Sequence, residues 1–414
     1  MQEILLKYGR TEVAFEFDPE RFDVLGPTSN SRSLSDIEIG ERLDAPVGSE
    51  PLEDVVRPGD TVLLVVPDAT RKAAAGQIVN LLVRRLIANG CSPADIRIIF
   101  ATGIHRGVTP AEKQVILTPF IAQRITTLDH RADDILKIFR VGETSGGIPV
   151  ELNWAVTEFD HVVPIGGVAF HYFAGFTGGP KLICPGLASA KTISATHKLA
   201  FDCVRKDRRN GVGPGLLDGN PVHEAFKEAA AMAKPAFAVN TIVNDAGEAS
   251  EVFCGDWIES HRAACESFAA NHTIQIHEKR ELVIASCGGS PYDINLIQAH
   301  KALDAASRVC SDGGTIVLMA ECADGLGRED FAQWFETDSS RTLAERLCDN
   351  YKVNGQTAWS LLEKAERFDV RLVTSLDESV LQRMRLKKTE AGSPRENKAA
   401  GYIMPAAGRF AIIN

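Results

Sequence analysis

The sequence predicts an α/β protein of two α/β domains with parallel-rich sheets and an interdomain active-site cleft. Three observations carry this. Apolar runs of strand length alternate with helical stretches, several of those runs end in small polar residues and glycine, and the whole pattern restarts once near residue 272. With 414 residues, the chain is longer than one ordinary core accommodates. The predicted division is an N-terminal domain over 1–272, a C-terminal domain over 273–400, and a last segment, 401–414, that crosses back onto the first domain.

Residues 1–20 alternate as a pair of short strands, residues 27–35 are a turn-rich connector, and 36–43 form a short helix. The first strong unit is Thr61-Val-Leu-Leu-Val-Val-Pro67, a buried strand that ends in Asp68-Ala-Thr-Arg71 and passes into a helix over 73–89. The unit repeats at once: 96–100 is a strand, Ala101-Thr-Gly-Ile-His105-Arg its loop, and 110–117 the next helix. Residues 162–167 form a strand that leads into Phe170-His-Tyr-Phe-Ala-Gly-Phe-Thr-Gly-Gly-Pro-Lys181. No ordinary core segment needs two glycines, a proline and a lysine directly behind aromatic residues, and such a turn lets backbone N–H groups converge on an anion. A helix from about 188 carries His197. Residues 236–243 are a strand and 259–270 a helix. The second domain opens with a strand over 282–286 and the loop Cys287-Gly-Gly-Ser-Pro-Tyr-Asp293. A helix holding Gln298 and Lys301 follows, then strands over 315–320 and 370–375, a polar connector over 387–398, and a last strand over 408–413.

Hydrophobic residues at 44% and charged residues at 24% are those of a soluble globular protein. The formal charge of −10 comes without a basic block or an aromatic-basic array, which argues against a nucleic-acid surface. Nine cysteines, an odd number with no Cys-x-x-Cys pair, fit neither a zinc ribbon nor a complete disulfide framework; reduced thiols in a cytoplasm are expected. No run has the length or composition of a signal peptide or a membrane span.

Ligands of open parallel sheets collect at the carboxyl ends of the strands. Asp68, Arg71, Thr102, Gly103, His105, His171, Lys181 and His197 therefore fall on one predicted rim. A lone histidine is ordinarily structural, and His261, His272 and His277 are read so. Three histidines, an arginine and a lysine on one rim beside backbone anion sites point instead to chemistry. The familiar motifs are missing: Gly-x-x-x-x-Gly-Lys-Ser/Thr, His-Glu-x-x-His, Gly-x-Ser-x-Gly and Gly-x-Gly-x-x-Gly after the early strands.

The set as a whole resembles the nickel-dependent lactate racemases, a family of 2-hydroxy acid racemases and epimerases that use a nickel-pincer nucleotide. The resemblance rests on Asp68-Ala-Thr-Arg71, Ala101-Thr-Gly-Ile-His105-Arg, the twelve residues ending at Lys181, Thr196-His197-Lys198 and Asn295-Leu-Ile-Gln298-Ala-His-Lys301, in order and across most of the chain. It implies a cytoplasmic isomerase in which Lys181 tethers nickel pyridinium-3,5-bisthiocarboxylic acid mononucleotide through a thioamide and His197 ligates the nickel. By the same resemblance His105 and His171 are acid/bases, Arg71 and Lys301 hold the substrate, and Asp68 and Gln298 support them. Thr102, Gly103, Thr177, Gly178 and Gly179 are expected to meet the nucleotide phosphate, and Tyr292 and Trp359 to shape the pocket from the second domain. A buried, inert role is expected for Cys184. Cofactor-biosynthesis proteins are implied as partners.

The chemistry is consistent with those roles. The hydrogen on C2 of a 2-hydroxy carboxylate is barely acidic beside a carboxylate, so its removal as hydride, with a base taking the hydroxyl proton, is easier than proton abstraction. The flat 2-keto acid can then receive hydride on either face, which calls for two bases on opposite sides and a planar cationic fork such as Arg71 on the carboxylate. In the family pattern proline usually follows the substrate arginine, but Lys72 stands here. That leaves open an epimerase of a longer sugar acid such as gluconate, or a racemase of malate or 2-hydroxyglutarate. From the residues alone, a lyase with a Schiff base at Lys181 and a non-catalytic nucleotide-binding module also remain.

Overall fold

In a computed structural model, which describes residues 1–26, 31–391 and 399–413, the chain forms two units, each built on a six-stranded sheet. The expected connectors over 27–35 and 387–398 lie partly outside the described residues.

One unit comprises residues 29–200 and 211–270. It contains β1 (Val62–Pro67), α1 (Ala75–Ala88), β2 (Ile96–Ala101), β3 (Thr126–Asp129), β4 (His161–Gly167), α2 (Ala190–Lys198), α3 (Pro221–Ala231), β5 (Ala238–Val243), β6 (Ala249–Gly255) and α4 (Glu259–His272). The strand order is β6-β5-β4-β1-β2-β3, parallel throughout except for the β5/β6 edge pair. All six residues of β1 are buried, as a strand covered on both faces requires. In α1, Ile78, Val79, Leu82, Val83 and Leu86 recur at helical spacing and are buried in the same core as Leu64 and Ile98; each such side chain contributes about 2 kcal/mol. Because β1 is flanked by β2 on one side and β4 on the other, the chain reverses its direction of winding there. Ligands of open α/β sheets bind at that kind of point, beyond the carboxyl ends of the strands.

The other unit comprises residues 1–28, 201–210 and 271–414. It is built from β7 (Arg280–Ser286), α5 (Leu296–Val309), β8 (Cys310–Met319), α6 (Ser340–Asp349), α7 (Val353–Arg367), β9 (Asp369–Val373) and β10 (Gly401–Met404). Its sheet runs Lys387–Lys388, β9, β8, β7, β10, Phe22–Val24, all parallel.

The structure departs from the sequence expectation in four places. The opening hairpin Gln2–Tyr8/Thr11–Phe17 belongs to the second unit, because Leu6, Phe15, Phe17 and Phe22 share a core with Leu282, Ile284, Val317, Met319 and Ile403. The final segment does not cross back to the first domain: β10 pairs with β7, and Ala411–Ile413 pairs with Thr273–Gln275. A short excursion, residues 201–210, leaves the first unit and returns to it. Within the second unit Phe201 stacks edge-on against Trp359 with ring centroids 4.9 Å apart, and Arg208 pairs with the buried Asp304 at 2.6 Å. Finally, Cys203 of that excursion is joined to Cys348 of α6 by a disulfide, where reduced thiols were expected. The other seven cysteines are free and buried. Among the described residues no helix is long and apolar enough to cross a membrane.

Candidate active site

The first unit gathers its chemistry at the carboxyl ends of β1, β2 and β4. After β1, the Asp68 carboxylate accepts from the Thr70 amide at 2.9 Å and hydroxyl at 2.6 Å, closing the Asp68-Ala-Thr-Arg71 loop on itself. Its other oxygen accepts from His105 Nδ1, across the β2 loop, at 2.7 Å. Burial works against ionisation of Asp68, but the His105 hydrogen bond and the positive charges of His105 and Arg71 prevail and hold it well below the usual carboxylate range. Both oxygens of Asp68 thus have partners within the protein, and one of them orients His105. In the neutral form of His105 the Nδ1–H is held in that hydrogen bond and Nε2 is left as an acceptor.

After β4, Phe170–His171 and Gly175–Phe176 form a small antiparallel pair that places His171 next to the turn carrying Lys181. His171 Nδ1 accepts from the Ala174 amide at 3.3 Å, so in the neutral ring the proton sits on Nε2. In their neutral forms, then, Nε2 is an acceptor in His105 and a donor in His171.

Lys181 and His197 are brought together by two aromatic rings. Lys181 Nζ lies 4.7 Å from the centroid of Phe226, on α3, and 5.6 Å from that of Phe173. His197 meets the same two rings at 5.4 Å and 5.1 Å, and Phe173 also packs on His171 at 4.5 Å. Burial, reinforced by the charge of Arg71, pushes the Lys181 amine down to about 7. Burial and the neighbouring Lys181 push His197 down to about 3, so the imidazole is neutral. Its Nδ1 donates to the Ile193 carbonyl at 2.8 Å, one turn back on α2, which leaves Nε2 with a lone pair. That is the arrangement of a metal-binding imidazole whose second nitrogen is tied to backbone. Cys184 is fully buried, and burial drives its thiol up to about 12, far from a thiolate.

The expected phosphate donors are used differently. Thr177 Oγ1 donates to the Gly167 carbonyl at 2.7 Å and accepts from the Ala169 amide at 2.9 Å. The Gly179 amide donates to Asn240 Oδ1 at 3.1 Å, and Thr102 Oγ1 donates to the His130 carbonyl at 2.9 Å. The Gly103 amide is bonded to the Gly186 carbonyl at 2.9 Å. In this structure each of these groups gives its hydrogen to another part of the protein. Gly178 and Gly179 do have the positive φ, 77° and 48°, that the turn requires.

The remaining sequence candidates lie in the second unit. Gln298 and Lys301 are one turn apart on α5, where Lys301 Nζ donates to Gln298 Oε1 at 2.6 Å. Tyr292 sits in the loop after β7, its amide bonded to the Gly289 carbonyl at 2.8 Å. Trp359 is buried in that unit's core against Phe201, a packing position. Lys72 extends its amine to the Asp245 carbonyl at 3.2 Å. Sequence reasoning passed over Phe226, Asn240 and His261. An asparagine inside the apolar strand Ala-Val-Asn-Thr-Ile-Val was the one signal that could have flagged Asn240.

Residues 8–208 match the lactate racemase N-terminal domain family and residues 276–400 the lactate racemase C-terminal domain family. The chain is 31% identical to the lactate racemase of Thermoanaerobacterium thermosaccharolyticum over 340 residues, covering 81% of this chain and 78% of that protein. It is also 31% identical to the lactate racemase of Lactiplantibacillus plantarum over 335 residues, 80% and 77% of the two chains. The structure of the T. thermosaccharolyticum lactate racemase apoprotein superposes with a TM-score of 0.89 at 26% identity, over 100% of both chains. A Thermotoga maritima protein shares the fold, with a TM-score of 0.73 at 20% identity, over 93% of this chain and 99% of that one. Both halves of the architecture and most of the length are accounted for in this way, and the chain belongs to the lactate racemase family of isomerases.

Proposed function

We propose that this protein inverts C2 of a 2-hydroxy acid by transient hydride transfer, with a nickel-pincer nucleotide attached at Lys181 and His105 and His171 as the acid/bases. The observation that carries the reading is the pairing of a half-buried, readily deprotonated Lys181 amine with a neutral His197 around Phe173 and Phe226, beside the Asp68–His105 pair.

These residues fit such a group. A half-buried amine that titrates near neutrality suits covalent attachment, and His197 Nε2 is an available neutral donor for a borderline metal. Among the described residues no three His, Cys, Asp or Glu side chains converge on one point, so a metal at His197 would take its other donors from the cofactor. When bound, the cofactor supplies an electrophilic carbon that takes the C2 hydrogen with its electron pair and gives it back.

The protein supplies the rest. Arg71 offers a planar fork to the substrate carboxylate. His105 Nε2 takes the hydroxyl proton as the carbonyl forms, and the Asp68 carboxylate stabilises the imidazolium that results. In the neutral ring His171 Nε2–H hydrogen-bonds the carbonyl oxygen when it turns to that side; to give that oxygen a proton the ring must first be protonated at both nitrogens. For the enantiomer whose hydroxyl faces His171 to react, that ring must carry its proton at Nδ1 instead and release the Ala174 amide.

Lactate is the substrate that the names of the relatives support. Lys72 after Arg71 keeps malate, 2-hydroxyglutarate and gluconate as alternatives. The test has two arms. Intact mass and nickel content are measured on protein produced with and without the cofactor-biosynthesis proteins, and an adduct mapped to Lys181 is expected only in the first. Each of the four acids, deuterated at C2, is then incubated in ordinary water; the true substrate should change configuration and keep its label. Free loss of label to solvent would sink the hydride reading.

A further inference from the structure

We infer that Asn240 and His261 are positioning residues for the anchoring turn, holding residues 177–181 in the one conformation that aims Lys181 between Phe173 and Phe226. The inference rests on the reading that Lys181 is the attachment point.

The turn cannot define itself. Gly178 and Gly179 both have positive φ and no side chain, so the peptide between them has more freedom than any other stretch of the loop. Something outside has to remove that freedom, and two buried polar side chains lie directly against it. Asn240, on β5, is 1% exposed; its Oδ1 accepts the Gly179 amide at 3.1 Å and its Nδ2 donates to Ser260 Oγ at 3.2 Å. The Gly179 N–H, which can only donate, requires Oδ1 on the turn side, and the Ser260 hydroxyl, which can accept, takes Nδ2 on the other.

His261, on α4, is 3% exposed and its Nε2 lies 2.9 Å from the Thr177 carbonyl. Burial holds its pKa down to about 4, so the ring is neutral and the contact requires the Nε2–H tautomer. A side chain on Gly179 would begin 2.4 Å from His261 Cγ. The ring therefore occupies the space that any side chain there would need, and it presses on the glycine that precedes Pro180-Lys181. Thr177 is fixed from the other side by its hydroxyl bonds to Gly167 and Ala169. The turn is thus pinned at the Thr177 hydroxyl, the Thr177 carbonyl and the Gly179 amide, by partners at the end of β4, on α4 and on β5 respectively.

An amine displaced by an ångström from its reaction partner loses rate steeply, which is why the effect should be visible in attachment itself. Four variants separate positioning from folding. Asn240→Leu removes both hydrogen bonds, whereas Asn240→Asp keeps the acceptor for the Gly179 amide. His261→Phe keeps the ring's bulk without the donor, whereas His261→Gln restores an N–H for the Thr177 carbonyl. Each is coexpressed with the cofactor-biosynthesis proteins, the fraction of Lys181 carrying the added mass is measured, and amide exchange over residues 175–184 is followed in unloaded protein of unchanged melting temperature.

The expectation is about a tenfold to hundredfold lower rate of attachment in Asn240→Leu and His261→Phe, with faster exchange confined to that segment, and return to within about threefold of wild type in Asn240→Asp and His261→Gln. Should Asn240→Leu fail to fold, His261→Phe against His261→Gln carries the comparison. Wild type that never gains mass at Lys181 overturns the functional reading and this inference with it. Wild type that loads, beside variants that load equally fast with unchanged exchange, overturns this inference alone.

Discussion

Replacing Lys181 with methionine removes a half-buried amine and leaves an unbranched apolar chain in the same aromatic slot, and the consequence for stability can be worked out with its pH dependence. The amine titrates near 10.5 when exposed and is pushed down to about 7 in the fold, chiefly by burial. Below pH 7 both the folded and the unfolded chain hold the proton, and folding bears the whole cost of burying a charge. Between about 7 and 10.5 the unfolded chain still binds a proton that the folded one has released, so stability rises with pH; above 10.5 the group contributes nothing. At 1.36 kcal/mol per pK unit the displacement corresponds to roughly 4–5 kcal/mol of destabilisation at pH 7 and below. Lys181→Met should accordingly be the more stable protein at pH 7 by a few kcal/mol, and the advantage should vanish by pH 10.5. The assay is urea unfolding of unloaded protein at several pH values, read by amide exchange in peptides from residues 161–200, and the quantity of interest is the difference between the two proteins. Other lysines, tyrosines and cysteines titrate in the same window, but they are common to both and cancel. A difference that stays constant from pH 7 to 10.5 would refute the claim that the unmodified amine is buried at a cost.

Three further outcomes are expected. Asp68→Asn removes the carboxylate that fixes the His105 tautomer and stabilises its protonated form, so kcat should fall by about 10²–10⁴-fold with KM little changed; a loss confined to KM would show that Asp68 contacts substrate instead. Arg71→Lys keeps the charge and loses the planar fork, and steady-state kinetics should show kcat/KM down by about 10–100-fold, whereas unchanged kinetics would take Arg71 out of carboxylate binding. Cys203 and Cys348 close a loop of 145 residues, for which chain entropy gives up to about 5 kcal/mol of stabilisation. Cys203→Ser should lower the denaturant midpoint of the second unit markedly, and dithiothreitol should destabilise wild type but not the variant; if it leaves wild type unchanged, the bond is not formed in solution.

The order of strands and helices was legible from the chain because each depends on a local pattern. A run such as Val62–Pro67, apolar throughout, has few fates other than a strand covered on both faces. The Asp68, His105, His171, Lys181 and His197 cluster was also legible, since carboxyl ends of parallel strands share a rim and Gly-Gly-Pro-Lys cannot be ordinary core. Unit membership was harder to read. Residues 1–28 precede the first domain in sequence, but their apolar side chains Leu6, Phe15, Phe17 and Phe22 match a face formed by Leu282, Ile284, Val317, Met319 and Ile403. No property of the first 28 residues alone reveals that match.

Sequence by itself determined which chemical groups this protein owns and near which strand ends they fall, because both follow from residue identity and short-range periodicity. Tertiary structure alone decided how those groups are employed. The hydroxyls of Thr102 and Thr177 could have faced an anion and are instead spent on the carbonyls of His130 and Gly167; His261, read as an ordinary structural histidine, lies under the anchoring turn. The partner that a buried donor or acceptor finds is set by whichever distant segment packs beside it, and that is a property of the whole fold.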